Sequence, residues 1–157
     1  LKKIRMSTPN IGLISDIICC PGMDYCALAT ARSIPISQKI SSVYKEYKTQ
    51  KFIGNLKIKI SGCINACGHH HVGNIGILGL DRNGEESYQI TLGGSATENS
   101  TIGQIVGPSF SENELLNDLK KIIKTYEKNR SKDSEDFLTV FKRIGIHEFK
   151  KDLYGSS

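Results

Sequence analysis

The chain has 157 residues, a formal net charge of +5 and five cysteines. No run of about 18 apolar residues occurs, as a membrane-spanning helix would need, and no secretory signal pattern opens the chain. We therefore expect a cytoplasmic protein with no membrane partner. The lysines are interspersed with acidic residues, whereas nucleic-acid binding needs a denser basic stripe. A modest positive charge instead suits a small anionic substrate, a multiply carboxylated cofactor or an acidic redox partner.

The first residues, LKKIRMSTPN, begin at Leu1 rather than at a methionine and read as the continuation of an earlier segment. A chain of this length has the size of one domain. We expect residues 1–157 to form one domain that is a fragment of a longer polypeptide.

The first half of the chain predicts two helices and a strand. Residues 25–32 suit a short helix, which Pro35 interrupts. A second, amphipathic helix is predicted over residues 36–50, where apolar side chains recur every three or four residues. Gly54 marks its end. Residues 56–60 then alternate apolar and basic side chains, the pattern of a half-buried strand.

The second half predicts a hairpin followed by helices. Residues 73–80 and 86–92 read as strands joined by a turn that contains Asn83 and Gly84, a strong hairpin signal. Ser111 and Glu114 match a capping box at a helix start, and a further helix is predicted over residues 137–144. Together these elements predict an α+β fold with a mainly antiparallel sheet and flanking helices.

All five cysteines lie in two short segments, ICCPGMDYCALA (residues 18–29) and SGCINACGHHH (residues 61–71). Five residues separate Cys20 from Cys26, and three separate Cys63 from Cys67. Thiolates are the usual ligands of iron–sulfur clusters, and the wide first gap is unusual for zinc. From this chemistry an iron–sulfur cluster, a structural zinc site and unligated buried cysteines all remain open.

The two cysteine segments, the second read as ISGCINACGHHHVGNIGILGLDRNGEESYQITLGG, closely resemble the sirohaem and 4Fe–4S segment of nitrite and sulfite reductases. The resemblance continues through GQIVGPSF at residues 103–110 and FKRIGIHEFKKDLY at residues 141–154. These later segments look most like the C-terminal part of bacterial assimilatory sulfite reductase haemoproteins. The resemblance implies a C-terminal domain that binds sirohaem and a 4Fe–4S cluster.

This resemblance also implies roles for individual residues. Cys20, Cys26, Cys63 and Cys67 would be the cluster ligands, and Cys67 would also bridge to the sirohaem iron. Cys19 has no place in the motif and is expected to be a small buried residue.

Several polar residues near the motif have more than one interpretation. Asn65 would either contact sirohaem or stabilise its own turn. His69, His70 and His71 would touch the haem edge, bind a separate metal or serve the structure alone. Four cations are left without a role and are read as solvated or haem-edge residues: Arg5, Arg32, Lys57 and Lys59. No catalytic acid is assigned, because the resemblance places most substrate-binding cations in an earlier part of the polypeptide.

The resemblance implies an oxidoreductase that reduces sulfite to sulfide with six electrons in sulfur assimilation. Such chemistry needs cofactors, since no side chain can deliver that many electrons. The alternatives are six-electron reduction of nitrite to ammonia and a cluster-only electron-transfer module. A flavoprotein or a ferredoxin is the expected electron donor, and the fragment alone is not expected to be active.

Overall fold

The computed structural model describes residues 9–155. In chain order its elements are β1 (Ile18–Cys19), α1 (Ile34–Val43), α2 (Tyr47–Ile53), β2 (Ile58–Ser61), a 3-10 helix (His70–Val72), β3 (Ile75–Arg82), β4 (Glu85–Leu92), β5 (Gln104–Ile105), α3 (Glu112–Lys128) and α4 (Phe137–Tyr154). The predicted α+β class is confirmed by this sheet with its flanking helices. Among residues 9–155, no helix has the length and apolar character needed to cross a bilayer.

The five strands form one sheet in the order β1-β2-β3-β4-β5. The longest pairing, between β3 and β4, is antiparallel, and β5 adds antiparallel to β4. At the other side, β1 pairs parallel with β2 and β2 pairs parallel with β3. The sheet is therefore mixed, and its parallel part is a feature that the alternation pattern did not predict.

Two helix predictions in the first half are corrected by the structure. Residues 25–32 form turns instead of a helix. Pro35 lies in the first turn of α1, where its missing N–H costs no hydrogen bond. The predicted helix over residues 36–50 is two helices, α1 and α2, with a break after Tyr44. Ile53, at the end of α2, is fully buried in the core.

The predictions for the second half are largely confirmed. Asn83 and Gly84 both have positive φ, 57° and 86°, as a tight hairpin turn between β3 and β4 requires. Ser111 and Glu114 form the capping box that begins α3. The last helix, α4, extends beyond residue 144 to Tyr154 and is kinked at Gly145.

The two faces of the sheet bury different kinds of side chain. One face contributes fully buried apolar side chains to a core shared with the helices: Ile58, Ile60, Ile75, Ile77, Ile90 and Leu92. Burial of this apolar surface is the main driving force for the fold. Three of the side chains that alternate with them are polar yet buried: Lys59, Ser61 and Thr91. The 3-10 helix packs against β2 and β3.

Candidate functional site

Both cysteine segments leave the sheet at the same edge. Cys20 follows β1, and Cys63 lies two residues beyond the end of β2. These strands are parallel neighbours with Cys19 opposite Ile60, and parallel strands present their carboxyl ends at one edge of a sheet. We name the two connections the first cysteine loop (residues 20–33) and the second cysteine loop (residues 62–69). The unpredicted parallel pairing is what brings them together.

The two loops touch through their backbones at Gly62. The Gly62 carbonyl accepts hydrogen bonds from the Thr30 N–H (2.9 Å) and the Ala31 N–H (3.0 Å). A Cβ atom at Gly62 would lie 2.6 Å from the Ala31 oxygen and 3.0 Å from the Gly22 Cα. Both distances are too short for a side chain, so only glycine permits this approach. The contact holds the segment after Cys26 directly against the residue before Cys63.

Thr30 strengthens this contact with its side chain. Its hydroxyl lies 3.0 Å from the Gly62 carbonyl oxygen and 3.2 Å from the Gly79 carbonyl oxygen in β3. One hydroxyl thus ties the first cysteine loop both to the second loop and to the sheet. The sequence carries no local signal for this role, because Thr30 and its partners are far apart along the chain.

Replacing Thr30 by valine should loosen the junction between the loops. Valine keeps the shape of threonine but removes the hydroxyl, and one such hydrogen bond contributes about 1 kcal/mol to stability. We expect Thr30→Val to lower the free energy of unfolding by about that amount, whereas Thr30→Ser should unfold like the unmodified protein. Denaturant titration of the three proteins measures the difference. Equal free energies of unfolding for the two variants would show that the hydroxyl does not stabilise the junction.

Cys20 lies in a polar, partly buried environment. The Gly62 N–H donates to its Sγ at 3.1 Å, and the Ser33 hydroxyl lies 3.7 Å from the same sulfur. Hydrogen bonds to cysteine sulfur are one of the means by which proteins tune iron–sulfur centres. The first loop therefore supplies the sulfur, and the second loop supplies a backbone hydrogen-bond donor to it.

The second cysteine loop turns back sharply onto the end of β2. The Ala66 N–H donates to the Cys63 carbonyl at 3.2 Å, and the Gly68 N–H donates to the Ser61 hydroxyl at 3.1 Å. As a result the two cysteines differ in exposure, since Cys63 is 8% exposed and Cys67 is open at the surface. Cys67 is thus accessible to a group outside this domain.

Cys19 differs from the other four cysteines. It packs against the hydrophobic core, and burial, the largest influence, raises the pKa of its thiol. A hydrogen bond from Ser37 lowers this pKa, and the neighbouring Cys20 raises it further. Cys19 is partly buried, where the sequence predicted a buried residue, and its structural role stays a prediction.

The polar residues in and just after the second cysteine loop, Asn65 and the three histidines, differ in their exposure. Asn65 is exposed, and its side chain makes no hydrogen bond within residues 9–155. His69 and His71 are exposed, whereas His70 is buried and its ring lies 3.9 Å from that of His71. Burial, followed by the charge of His71, lowers the pKa of His70 to about 4. His70 is therefore neutral at physiological pH and packs as part of the structure.

The cations left without a role lie in different places. Arg32 forms ion pairs with Asp24 and Glu86. Lys57 and Lys59 line a cavity of about 300 Å³ that contains no cysteine among its lining residues. Arg5 is outside the described residues.

The four thiols on the two touching loops suit an iron–sulfur cluster by their chemistry, since thiolates are its usual ligands. All five cysteines are free. Within residues 9–155, no three His, Cys, Asp or Glu side chains are grouped closely enough to hold one metal ion.

Comparison with known families gives a match over nearly the whole chain. Residues 13–156 match the family model described as the nitrite and sulphite reductase 4Fe-4S domain. The sulfite reductase (NADPH) hemoprotein beta-component of Bacillus licheniformis is 28% identical over 131 residues, which cover 82% of this chain and 22% of that protein. The assimilatory-type sulfite reductase of Nitratidesulfovibrio vulgaris is 26% identical over 113 residues, 72% of this chain and 49% of that protein. The chain thus spans about a fifth to a half of these relatives' length.

Solved structures show the same fold. The Mycobacterium tuberculosis NirA protein superimposes with a TM-score of 0.71 at 21% identity, covering 85% of this chain and 26% of that chain. Dissimilatory sulfite reductase I gives a TM-score of 0.71 at 13% identity, covering 90% of this chain and 52% of that chain. At these identities the likeness concerns the fold alone.

Proposed function

This chain belongs to the nitrite and sulphite reductase 4Fe-4S domain family, and on that basis we propose that it is the C-terminal cluster-binding domain of an assimilatory sulfite reductase. The observation that carries the proposal is the contact at Gly62, which joins two loops that hold four free thiols. The complete polypeptide would reduce sulfite to sulfide with six electrons. Its cytoplasmic location is part of the proposal, since free thiols persist in reducing compartments.

The ligands of the 4Fe–4S cluster in this proposal are Cys20, Cys26, Cys63 and Cys67. The burial of Cys63 and the N–H donor at Cys20 would shield and tune the cluster. Glycine at position 62 lets the two loops that carry these sulfurs approach each other, since a Cβ there would lie 2.6 Å from the Ala31 oxygen.

Sirohaem is the second proposed cofactor, and when bound beside the cluster it supplies the site at which a small anion is reduced. Cys67 is the residue of this chain that would hold its iron, because the thiol is exposed while its partner Cys63 is buried. Asn65 would contact the same group, since its amide is exposed two residues away. Neither residue acts as a proton donor in this proposal.

Substrate binding, proton supply and electron delivery are not assigned to residues of this chain. Arg32 already faces two carboxylates and is not free to bind an anionic substrate. The cations and acids that neutralise sulfite and supply protons are therefore proposed to come from other parts of the polypeptide. A flavoprotein or a ferredoxin would deliver the electrons.

Counting iron and acid-labile sulfide per chain in the intact, anaerobically prepared protein tests the proposal. We expect four irons and four sulfides for the cluster, one further iron for sirohaem, and the sharp visible bands of a haem. A broad brown absorption alone would mean a cluster-only electron-transfer module, and a colourless protein with zinc would refute the cofactor assignment. Relative turnover of sulfite and nitrite then decides the substrate, and a strong preference for nitrite would replace sulfite reduction by ammonia formation.

A further inference from the structure

Arg32 lies at the centre of a polar network at the end of the first cysteine loop. Its Nε donates to the Asp24 carboxylate at 3.2 Å, and its Nη1 pairs with Oε1 of Glu86. The backbone N–H of the same residue donates to Oε2 of Glu86 at 2.7 Å. The Tyr88 hydroxyl lies 3.0 Å from Glu86 Oε2 and 3.1 Å from the Arg32 carbonyl oxygen. Arg32 is thus held by hydrogen bonds at its side chain, its backbone N–H and its backbone carbonyl.

This network is more constrained than an ordinary surface ion pair. Exposed pairs contribute little to stability, because water screens them and both side chains lose freedom. Here the Glu86 side chain is only 24% exposed and Tyr88 is 1% exposed. Burial, followed by the hydrogen bond to Glu86, raises the pKa of Tyr88, so its hydroxyl keeps the proton that it donates. The network is anchored in the sheet, since Glu86 and Tyr88 belong to β4.

The same network also reaches into the segment between Cys20 and Cys26. Asp24 lies two residues before Cys26 and four after Cys20. Close beside it, the Met23 N–H donates to the Ala31 carbonyl at 3.1 Å, which folds the loop back on itself. The guanidinium therefore links the middle of the first cysteine loop to β4, a contact separate from the one at Gly62.

We infer that Arg32 is a positioning residue for the cluster: by bridging Asp24 to Glu86, it fixes the segment that carries Cys26 against β4. The inference rests on the proposed ligand assignment and adds a role for three residues outside the cysteine motif. Without the guanidinium, the Asp24 and Glu86 carboxylates would face the same space with no cation between them, and their repulsion would open the loop.

The test compares two arginines in the intact holoprotein. Arg143 is a matched control, because it also donates to a carboxylate through two nitrogens, to Glu135 at 3.2 and 2.8 Å, and is similarly exposed, at 43% against 50% for Arg32. It lies in α4. We expect Arg32→Gln to release its iron to a chelator about tenfold faster than the unmodified protein, as is typical when a residue supporting metal ligands is lost. Arg143→Gln should release iron at the unmodified rate.

A second readout separates positioning from general loss of stability. The electron paramagnetic resonance spectrum of the reduced cluster should change shape in Arg32→Gln and stay unchanged in Arg143→Gln. Arg32→Lys keeps the charge but cannot bridge both carboxylates, so it should release iron at an intermediate rate. If Arg32→Gln fails to fold, iron release is measured on Arg32→Lys and Asp24→Asn instead. Both should release iron faster than Arg143→Gln.

The outcomes distinguish this inference from the proposed function. An unmodified protein without iron and sulfide would refute the proposed function itself. An unmodified protein that holds the cluster, together with Arg32 and Asp24 variants that release iron no faster than Arg143→Gln and keep the same spectrum, would overturn the role of Arg32 while leaving the cysteine assignment intact.

Discussion

Replacing Cys67 by serine should remove both chromophores from the holoprotein, whereas Cys19→Ser should leave both in place. In the proposed site, Cys67 belongs to the cluster and to the sirohaem iron at once, so one sulfur supports two centres. Cys19 packs against the core, and burial raises the pKa of its thiol, which favours the protonated form over a ligand. Visible absorption, with iron and sulfide counted per chain, measures the difference.

The two variants also differ in what they do to the polypeptide itself. Cys67 is exposed, and surface substitutions usually change the free energy of unfolding by less than about 0.5 kcal/mol. The metal-free Cys67→Ser protein should therefore unfold like the unmodified metal-free protein, and its loss of colour is then a ligand effect. Equal loss of iron from the Cys19 and Cys67 variants would overturn the ligand assignment.

Sequence reasoning succeeded where the signal is local. The turn at Asn83 and Gly84 and the capping box of Ser111 and Glu114 depend on residues within four positions of each other, and both are present in the structure. The two cysteine pairs could also be recognised in the sequence, because each pair lies within one short loop. Their interpretation as cluster ligands came from a family resemblance, since the spacing alone also allowed a zinc site or unligated thiols.

The features that assemble the site could not be predicted from local patterns. Strand β1 has only two residues, too few for any alternation to show, yet its parallel pairing with β2 places the two cysteine loops at one edge. The contacts of Thr30 with Gly62 and of Arg32 with Glu86 join positions far apart along the chain. These long-range contacts form only once the sheet has folded, and they leave no periodic pattern in the sequence from which they could be predicted.

The helix predicted over residues 25–32 failed for a related reason. Its residues have acceptable helical propensity, but the Thr30 and Ala31 N–H groups donate to the Gly62 carbonyl and not to the preceding turn of a helix. Propensity is a weak prior that tertiary contacts override. The segment forms turns and bends that pack against the second cysteine loop.

Substituting Gly68 by alanine should destroy the cluster site by a purely steric route. A Cβ at this position would lie 1.8 Å from the Ile60 oxygen and 2.7 Å from the Ile60 carbonyl carbon. Ile60 cannot yield, since it is paired in β2 with both neighbouring strands and its carbonyl accepts the Cys20 N–H. The turn must move instead, and Cys67, the adjacent residue, would move away from Cys63. Gly68→Ala should therefore lose iron and sulfide almost completely.

The matched control for Gly68→Ala is Gly84→Ala, in the hairpin turn. Gly84 has a φ of 86°, and a Cβ added there would meet no atom within 4 Å, so alanine costs about 1–2 kcal/mol of backbone strain without any clash. The clash at Gly68 is with backbone that is held in the sheet, so Gly68→Ala should be destabilised at least as much as Gly84→Ala, by about 1–3 kcal/mol or more. Denaturant unfolding measures this cost in each variant. Iron counting under conditions where both variants are folded should show cluster loss only for Gly68→Ala. Normal iron and sulfide in Gly68→Ala would contradict the turn geometry on which the cysteine site depends.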